Sequence, residues 1–173
     1  MKDLTERLQS INTFVLDFDG VLSDGKVYVQ SDGEQVRATN VKDGYALHYA
    51  LSNGYRVAVI SGGYAQSMRK RYEEFHGMEI HLRVRDKVGK LNEYMAENGL
   101  TVEQVLVVGD DIPDYPIMQM AGLSCCPNDA AEEIKAVADY VSPKNGGNGA
   151  VRDIVEMVLK AQGKWFGKDA FVW

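Results

Sequence analysis

The chain has 173 residues, 45% of them hydrophobic, with 25 acidic and 19 basic side chains and a formal net charge of −6. That length and apolar content suit one domain, residues 1–173, with a sizeable core, and exclude a disordered chain. The acidity argues against nucleic acid as a partner, because phosphate backbones are bound by basic faces. No apolar run reaches the ~18 residues needed to span a bilayer, and residues 1–9 are polar, so a cytoplasmic protein with no membrane partner is expected. The adjacent Cys125 and Cys126 cannot build a disulfide framework and lack metal-site spacing, so they read as buried strand residues.

The first strand signal, residues 13–18, is apolar and ends in Asp17-Phe18-Asp19-Gly20. Residues i and i+2 of a strand share a face, so both carboxylates are expected to project together where the strand stops. At ~4 Å two like charges repel by about 4 kcal/mol at an effective dielectric near about 20. Such a pair persists with a metal, a cationic partner or a shared proton, and each points to chemistry. Two β-prone runs follow, 26–30 and 34–39, joined at Ser31-Asp32-Gly33, which predicts a hairpin over 26–39.

Asp43 then reads as the cap of a helix running to Asn53, with Gly54 as its stop. A second strand, 55–60, ends in Ser61-Gly62-Gly63, and a helix is expected from there to about Phe75. Its basic run Arg69-Lys70-Arg71 reads either as a solvated helix face or as an anion contact. A third helix opens near Asp86, puts Val88, Leu91, Tyr94 and Met95 on one face, and stops at Gly99. The third strand, 104–108, ends in Gly109-Asp110-Asp111, and Pro113 and Pro116 mark the first turn of a short helix ending at Gly122.

A last helix, 150–162, places Val151, Ile154, Val155, Val158 and Leu159 at core-facing spacing, and an irregular aromatic tail, 163–173, follows. His48, His76 and His81 have no ligand spacing and read as structural or surface residues. Alternating strands and helices predict an α/β, doubly wound, mainly parallel sheet with a protruding β-hairpin, and ligands in such sheets bind beyond the carboxyl ends of the strands.

Four elements in order, Asp17-Phe18-Asp19-Gly20, Ser61, Lys87 and Gly109-Asp110-Asp111-Ile112-Pro113-Asp114, resemble the haloacid dehalogenase superfamily of phosphatases. The resemblance implies a Rossmann-like fold and hydrolysis of a phosphate monoester. Asp17 would be the nucleophile that becomes an aspartyl phosphate, and Asp19 the acid and then the base. Ser61, Gly62 and Gly63 would bind phosphoryl oxygens, and Lys87 would sit against Asp17 and the phosphoryl group. Asp17, the backbone carbonyl of Asp19 and Asp110 would hold Mg2+, with Asp111 and Asp114 in support.

The intervals between these motifs leave no room for a cap domain. Capless chains with Asp19-Gly20-Val21-Leu22-Ser23-Asp24-Gly25, Val41-Lys42-Asp43-Gly44, Gly146-Gly147-Asn148-Gly149-Ala150-Val151-Arg152 and Lys160-Ala161-Gln162-Gly163-Lys164 are similar to the 3-deoxy-D-manno-octulosonate (KDO) 8-phosphate phosphatases and their nine-carbon relatives. By that resemblance the hairpins join a homotetramer, sites are completed by a neighbouring subunit, and Asn40, Val41, Lys42, Asp43, Gly44 and Arg71 contact substrate or line the subunit junction.

Two positions depart from the family pattern. Gly63 stands where eight-carbon enzymes carry Arg and nine-carbon enzymes Glu, and Asn40 stands where octulosonate enzymes often have His. The Gly-Ala-Val-Arg and Lys-Ala-Gln-Gly-Lys segments favour the octulosonate and, with it, a place in lipopolysaccharide precursor synthesis; a KDN or N-acylneuraminate 9-phosphate is the alternative. A phospho-Asp receiver domain would share the acidic cluster, but it places the acidic pair first and the phosphoacceptor later, the reverse of the order here. The tail aromatics Trp165, Phe166, Phe171 and Trp173 would dock on the chain's own core, on a neighbour, or at a neighbouring site.

Overall fold

A computed structural model describes residues 4–172. Helix α1 (Leu4–Ser10) leads into β1 (Thr13–Leu16), and a hairpin of β2 (Tyr28–Val29) and β3 (Gln35–Val36) precedes α2 (Val41–Ser52). Then come β4 (Arg56–Ile60), α3 (Gln66–Tyr72), β5 (Met78–His81), α4 (Lys87–Asn98), β6 (Val105–Val108), α5 (Tyr115–Met120), β7 (Leu123–Cys126), α6 (Glu132–Lys135), β8 (Tyr140–Val141) and α7 (Ala150–Ala161). Six strands form one parallel sheet in the order β5-β4-β1-β6-β7-β8, and no cap domain interrupts it among the described residues.

The central strands are buried on both faces, which is why they read as unbroken apolar runs. Phe14, Leu16, Val57, Val59, Leu106 and Val108 face one core, shared with α1, α2, α3 and α7. Val15, Ala58, Ile60, Val105 and Val107 face the other, against Leu91, Tyr94 and Met95 of α4, Ile117 and Met118 of α5, and Ile134 of α6. Cys125 and Cys126 are buried in β7, one toward each core. The chain leaves β1 toward β4 and β5, then crosses back to β6, so β1 ends at the switch point where such sheets open a crevice.

Several expected boundaries move. Strand β1 ends at Leu16, and Phe18, Asp19 and Gly20 already turn, with Val21, Leu22 and Ser23 all donating to the Phe18 carbonyl. The side-by-side projection of Asp17 and Asp19 from one strand is therefore corrected: a turn separates them. The hairpin pairs only Tyr28 with Val36 and Val29 with Gln35, plus one bridge from Ser23 to Thr39. Helix α3 starts at Gln66 rather than just after Gly63, because residues 62–64 are held as a loop by Gly63 donating to Ser61 and accepting from Arg83.

The tail folds back on its own chain. Trp165 packs edge-on against Tyr45 and Tyr49, with centroids at 6.5 and 5.3 Å, and the Tyr49 hydroxyl donates to the Lys164 carbonyl at 3.1 Å. Phe166 and Phe171 stay exposed, paired with each other at 5.4 Å. Trp173 lies outside the described residues.

Candidate active site

Register sets the first part of the site. Leu16 pairs with Val59 of β4 and Val108 of β6, so one residue on Asp17 draws level with the last residue of β4 and with Gly109. Its amide donates to the Val108 carbonyl at 3.0 Å, which fixes its backbone while the side chain leaves the sheet edge. Lys87 approaches from the adjoining loop as the first residue of α4, a helix capped by Asp86 accepting from the Gly89 amide at 2.9 Å. Its ammonium lies 3.0 Å from Asp17 Oδ1 and 2.6 Å from Asp114 Oδ1, with only 8% of the side chain exposed.

Gly20 makes room for the next carboxylate. A Cβ at this residue would sit 1.9 Å from Asp110 Oδ2, and its φ of +86° is one that side chains rarely adopt. Burial and then the neighbouring Asp17, Asp114 and Asp111 charges push Asp110 up to about 8, and burial with the Asp114 charge pushes Asp17 up to about 6. Burial would lower Lys87, but Asp17 and Asp114 outweigh it and raise it. The crowding expected between the two motif carboxylates lies instead among Asp17, Asp110 and Asp114.

Asp19 is met from the other side. Arg37, just after β3, donates Nε to Asp19 Oδ1 at 2.8 Å and Nη2 to Oδ2 at 3.0 Å, a two-pronged ion pair on a guanidinium side chain that is 4% exposed. Nothing in residues 26–39 marked Arg37 for this role, because it depends on a hairpin folding back 18 positions in sequence.

One oxygen from each of Asp17, Asp110 and Asp114 lies within 4.8 Å of the others, so these groups could share a metal ion. Asp110 Oδ1 is buried with no hydrogen-bond partner, which suits a hard cation that takes carboxylate oxygens. Asp114 is already occupied: Oδ1 accepts from Lys87, and Oδ2 from the amides of Asp110 and Asp111 at 3.1 and 3.5 Å. Asp111 caps the 3-10 turn Ile112–Asp114 by accepting from the Ile112 amide at 2.8 Å.

A cavity of about 440 Å³ covers Asp17, lined also by Asp19, Ser61, Gly62, Gly63, Lys87, Asp110, Asp111 and Asp114. Arg85 lines it too, and sequence reasoning missed it. The cue was its place two residues before Lys87, in a loop leading to a site residue. The expected contacts at 40–44 and 71 do not line this cavity. Asn40 caps α2 by accepting from the Lys42 amide at 2.8 Å, the role expected of Asp43, and Val41 and Lys42 are exposed beside a separate groove.

Asp43 is fully buried and accepts from the Gly149 and Arg152 amides at 3.2 and 2.7 Å, so it caps α7 and cannot touch substrate. Gly44 is buried against Arg71, whose Nη2 a Cβ there would meet at 2.7 Å. Arg71 itself donates to Thr39 Oγ1 at 3.0 Å and lies over the Tyr72 and Phe75 rings.

Comparisons with known proteins agree with this geometry. Residues 72–154 match the haloacid dehalogenase-like hydrolases. The 3-deoxy-D-manno-octulosonate 8-phosphate phosphatase of Escherichia coli strain K12 is 36% identical over 162 residues, 94% of this chain and 86% of its own length. The crystal structure of the Yersinia pestis 3-deoxy-D-manno-octulosonate 8-phosphate phosphatase superposes with a TM-score of 0.93 at 34% identity, covering 96% of this chain and 90% of that one. That of the Moraxella catarrhalis enzyme, solved with magnesium, phosphate and KDO, superposes with a TM-score of 0.90 at 32% identity, covering 93% and 92%. With its sheet order, its missing cap and its Asp17, Lys87 and Asp110 all at one sheet edge, the chain belongs to the haloacid dehalogenase-like hydrolases, in the family that includes the KDO 8-phosphate phosphatases.

Proposed function

We propose that the chain hydrolyses a sugar-acid phosphate monoester, KDO 8-phosphate, to KDO and phosphate with Mg2+. The observation that carries this is the buried Asp17 held by Lys87 beside an Asp110 oxygen that lacks a partner, in a chain 36% identical to a named KDO 8-phosphate phosphatase. Asp17, the Asp19 carbonyl and Asp110 would hold the ion, and Asp114 would support it through its bonds to Lys87 and the Asp110 amide. Bound magnesium supplies charge neutralisation to the phosphoryl oxygens.

The remaining work falls to the chain. An Asp17 oxygen attacks phosphorus, the ester P–O bond breaks, and the leaving sugar oxygen takes a proton from Asp19, leaving an aspartyl phosphate. Water then attacks phosphorus and gives a proton to Asp19, the bond to Asp17 breaks, and phosphate leaves. Ser61 and the amides of Gly62 and Gly63 orient the phosphoryl oxygens, and Lys87 balances Asp17. The Arg37 fork must loosen for Asp19 to carry a proton, so the hairpin takes part in each turnover.

A kcat/KM panel with Mg2+ over KDO 8-phosphate, a nine-carbon keto-sugar-acid 9-phosphate and common hexose phosphates tests this. Highest values on KDO 8-phosphate are expected. Preference for the nine-carbon acid replaces the sugar but keeps the chemistry, a flat profile defeats the sugar-acid assignment, and one stoichiometric phosphorylation without turnover would make the chain a phospho-Asp switch. We also propose a homotetramer assembled through the hairpin, whose Tyr28 and Val29 are 59% and 69% exposed. Sedimentation as a monomer at working concentration would exclude it. Among the described residues no helix is long and apolar enough to cross a membrane, which supports a cytoplasmic site of action.

A further inference from the structure

Five carboxylates line the cavity over Asp17, namely Asp17, Asp19, Asp110, Asp111 and Asp114. The cations that meet them are already engaged, Lys87 between Asp17 and Asp114 and Arg37 on both oxygens of Asp19. Arg85 lines the same cavity, is exposed, and has no ion-pair or hydrogen-bond partner among the described residues. A guanidinium is a strongly charged, planar five-donor group, and one left open over a carboxylate-lined cavity is available to an anion brought by a ligand.

The backbone around it is fixed. The Val84 amide donates to the Ser61 carbonyl at 3.0 Å and the Arg83 amide to the Gly63 carbonyl at 3.1 Å. Arg83 holds a φ of +60°, and its guanidinium lies 3.8 Å from the centroid of the Tyr64 ring, while Asp86 on the other side caps α4. Residue 85 is thus pinned at the rim between two anchored neighbours, with its side chain free. The adjoining 61–63 loop, bonded to residues 83 and 84, offers no competing cation. Positions 62 and 63 are glycines, and a Cβ at Gly63 would meet Asp19 Oδ2 at 2.8 Å, so a side chain there would displace the Asp19 carboxylate.

We infer that Arg85 is the specificity residue that reads the substrate's carboxylate, gripping it with a two-pronged hydrogen bond while the phosphoryl group lies at Asp17. This rests on the sugar-acid phosphatase function proposed above. Such a substrate carries a second anion remote from its phosphoryl group, and Arg85 is a cation lining the same cavity that has no partner among the described residues. A neutral sugar phosphate has nothing to offer it.

The test compares kcat and KM of the wild type, Arg85→Ala and Arg85→Lys with Mg2+ on KDO 8-phosphate and on glucose 6-phosphate. Arg85→Ala is expected to lower the preference for the acid by about ten- to a hundredfold, mainly through a higher KM for KDO 8-phosphate, since a hydrogen-bonded ion pair is lost. Arg85→Lys is expected to restore part of it, as a point charge without the fork. Free KDO used as a competitive inhibitor should show a raised Ki in Arg85→Ala, and thermal unfolding should match the wild type because the side chain is unpaired.

An unchanged preference, an equal loss on both substrates, or an unchanged Ki would overturn the assignment. A wild type with no preference for the acid would instead bring down the sugar-acid function itself, and Arg85 with it.

Discussion

Asp17 and Asp19 are two residues apart, yet their charges are met from opposite directions. On the core side, Asp17 shares a buried lysine with Asp114, and all three come from the ends of sheet strands and the starts of the elements that follow them. On the hairpin side, Asp19 keeps 30% of its side chain exposed and is held by an arginine from a two-stranded ribbon with four paired residues. The first arrangement is built into the packing of the domain. The second depends on a segment that short ladders and open surface leave weakly held. In the proposed mechanism the nucleophile must not move, whereas the group that gives and takes protons must be released and recaptured, and the two kinds of support match those needs.

The largest effect should come from the core side. Asp17→Asn is expected to lower turnover of KDO 8-phosphate by about a thousandfold or more, because the amide cannot form the aspartyl phosphate. Rapid-quench analysis for acid-stable phosphoprotein and steady-state phosphate release would check it, and substantial activity would overturn the nucleophile assignment.

Stability gives the next contrast. In urea unfolding of the metal-free protein, Lys87→Ala should cost about 3–5 kcal/mol, since it leaves two buried carboxylates without their cation, while Arg37→Ala should cost about 1–2 kcal/mol, because the Asp19 carboxylate it leaves unpaired is 30% exposed and takes up water. Equal losses would mean that the hairpin side is as rigid as the core.

A pH dependence carries the contrast further. Asp110 is raised to about 8 and Asp17 to about 6, both above the ordinary 3.8, so the folded metal-free protein binds more protons than the unfolded chain between those values. Stability is then expected to fall as pH rises from about 4 to about 8, the sign opposite to that of an ion-paired carboxylate. Mg2+ should remove that slope, bind more tightly as pH rises to about 8, and release protons near pH 7, measurable by calorimetry in buffers of different ionisation enthalpy. No proton release would show that the carboxylates are already ionised before metal arrives.

Much of the core side was legible because its parts are local. An apolar run that breaks at Asp-Phe-Asp-Gly, or at Gly-Asp-Asp, announces a buried strand and its functional end within a few residues, and Asp86 and Gly99 bracket α4 as caps should. Strand β5, with every residue half-buried, and the two-residue β8 at the sheet edge lacked that contrast and went unseen. Arg37 was illegible for a different reason, since its partner is chosen by how the hairpin folds back. Asp43 misled in the same way. An acid near a helix start reads as that helix's cap, but Asn40 took the role and left Asp43 to reach another element.

That reach bears on the order in which the chain can fold. Asp43 finds its partners 106 and 109 residues later, and at the other end of α7 the Gln162 side chain bonds back to the carbonyls of Leu8 and Ile11 at 2.8 and 2.7 Å. During synthesis the first half emerges with a carboxylate destined for a dry interior and nothing yet made to receive it. Contacts this distant slow the search for the native state and keep α2 from its final seat until the last helix is complete. A chain truncated before residue 149 should therefore stay open to protease at α2, and one that carries residue 162 should close.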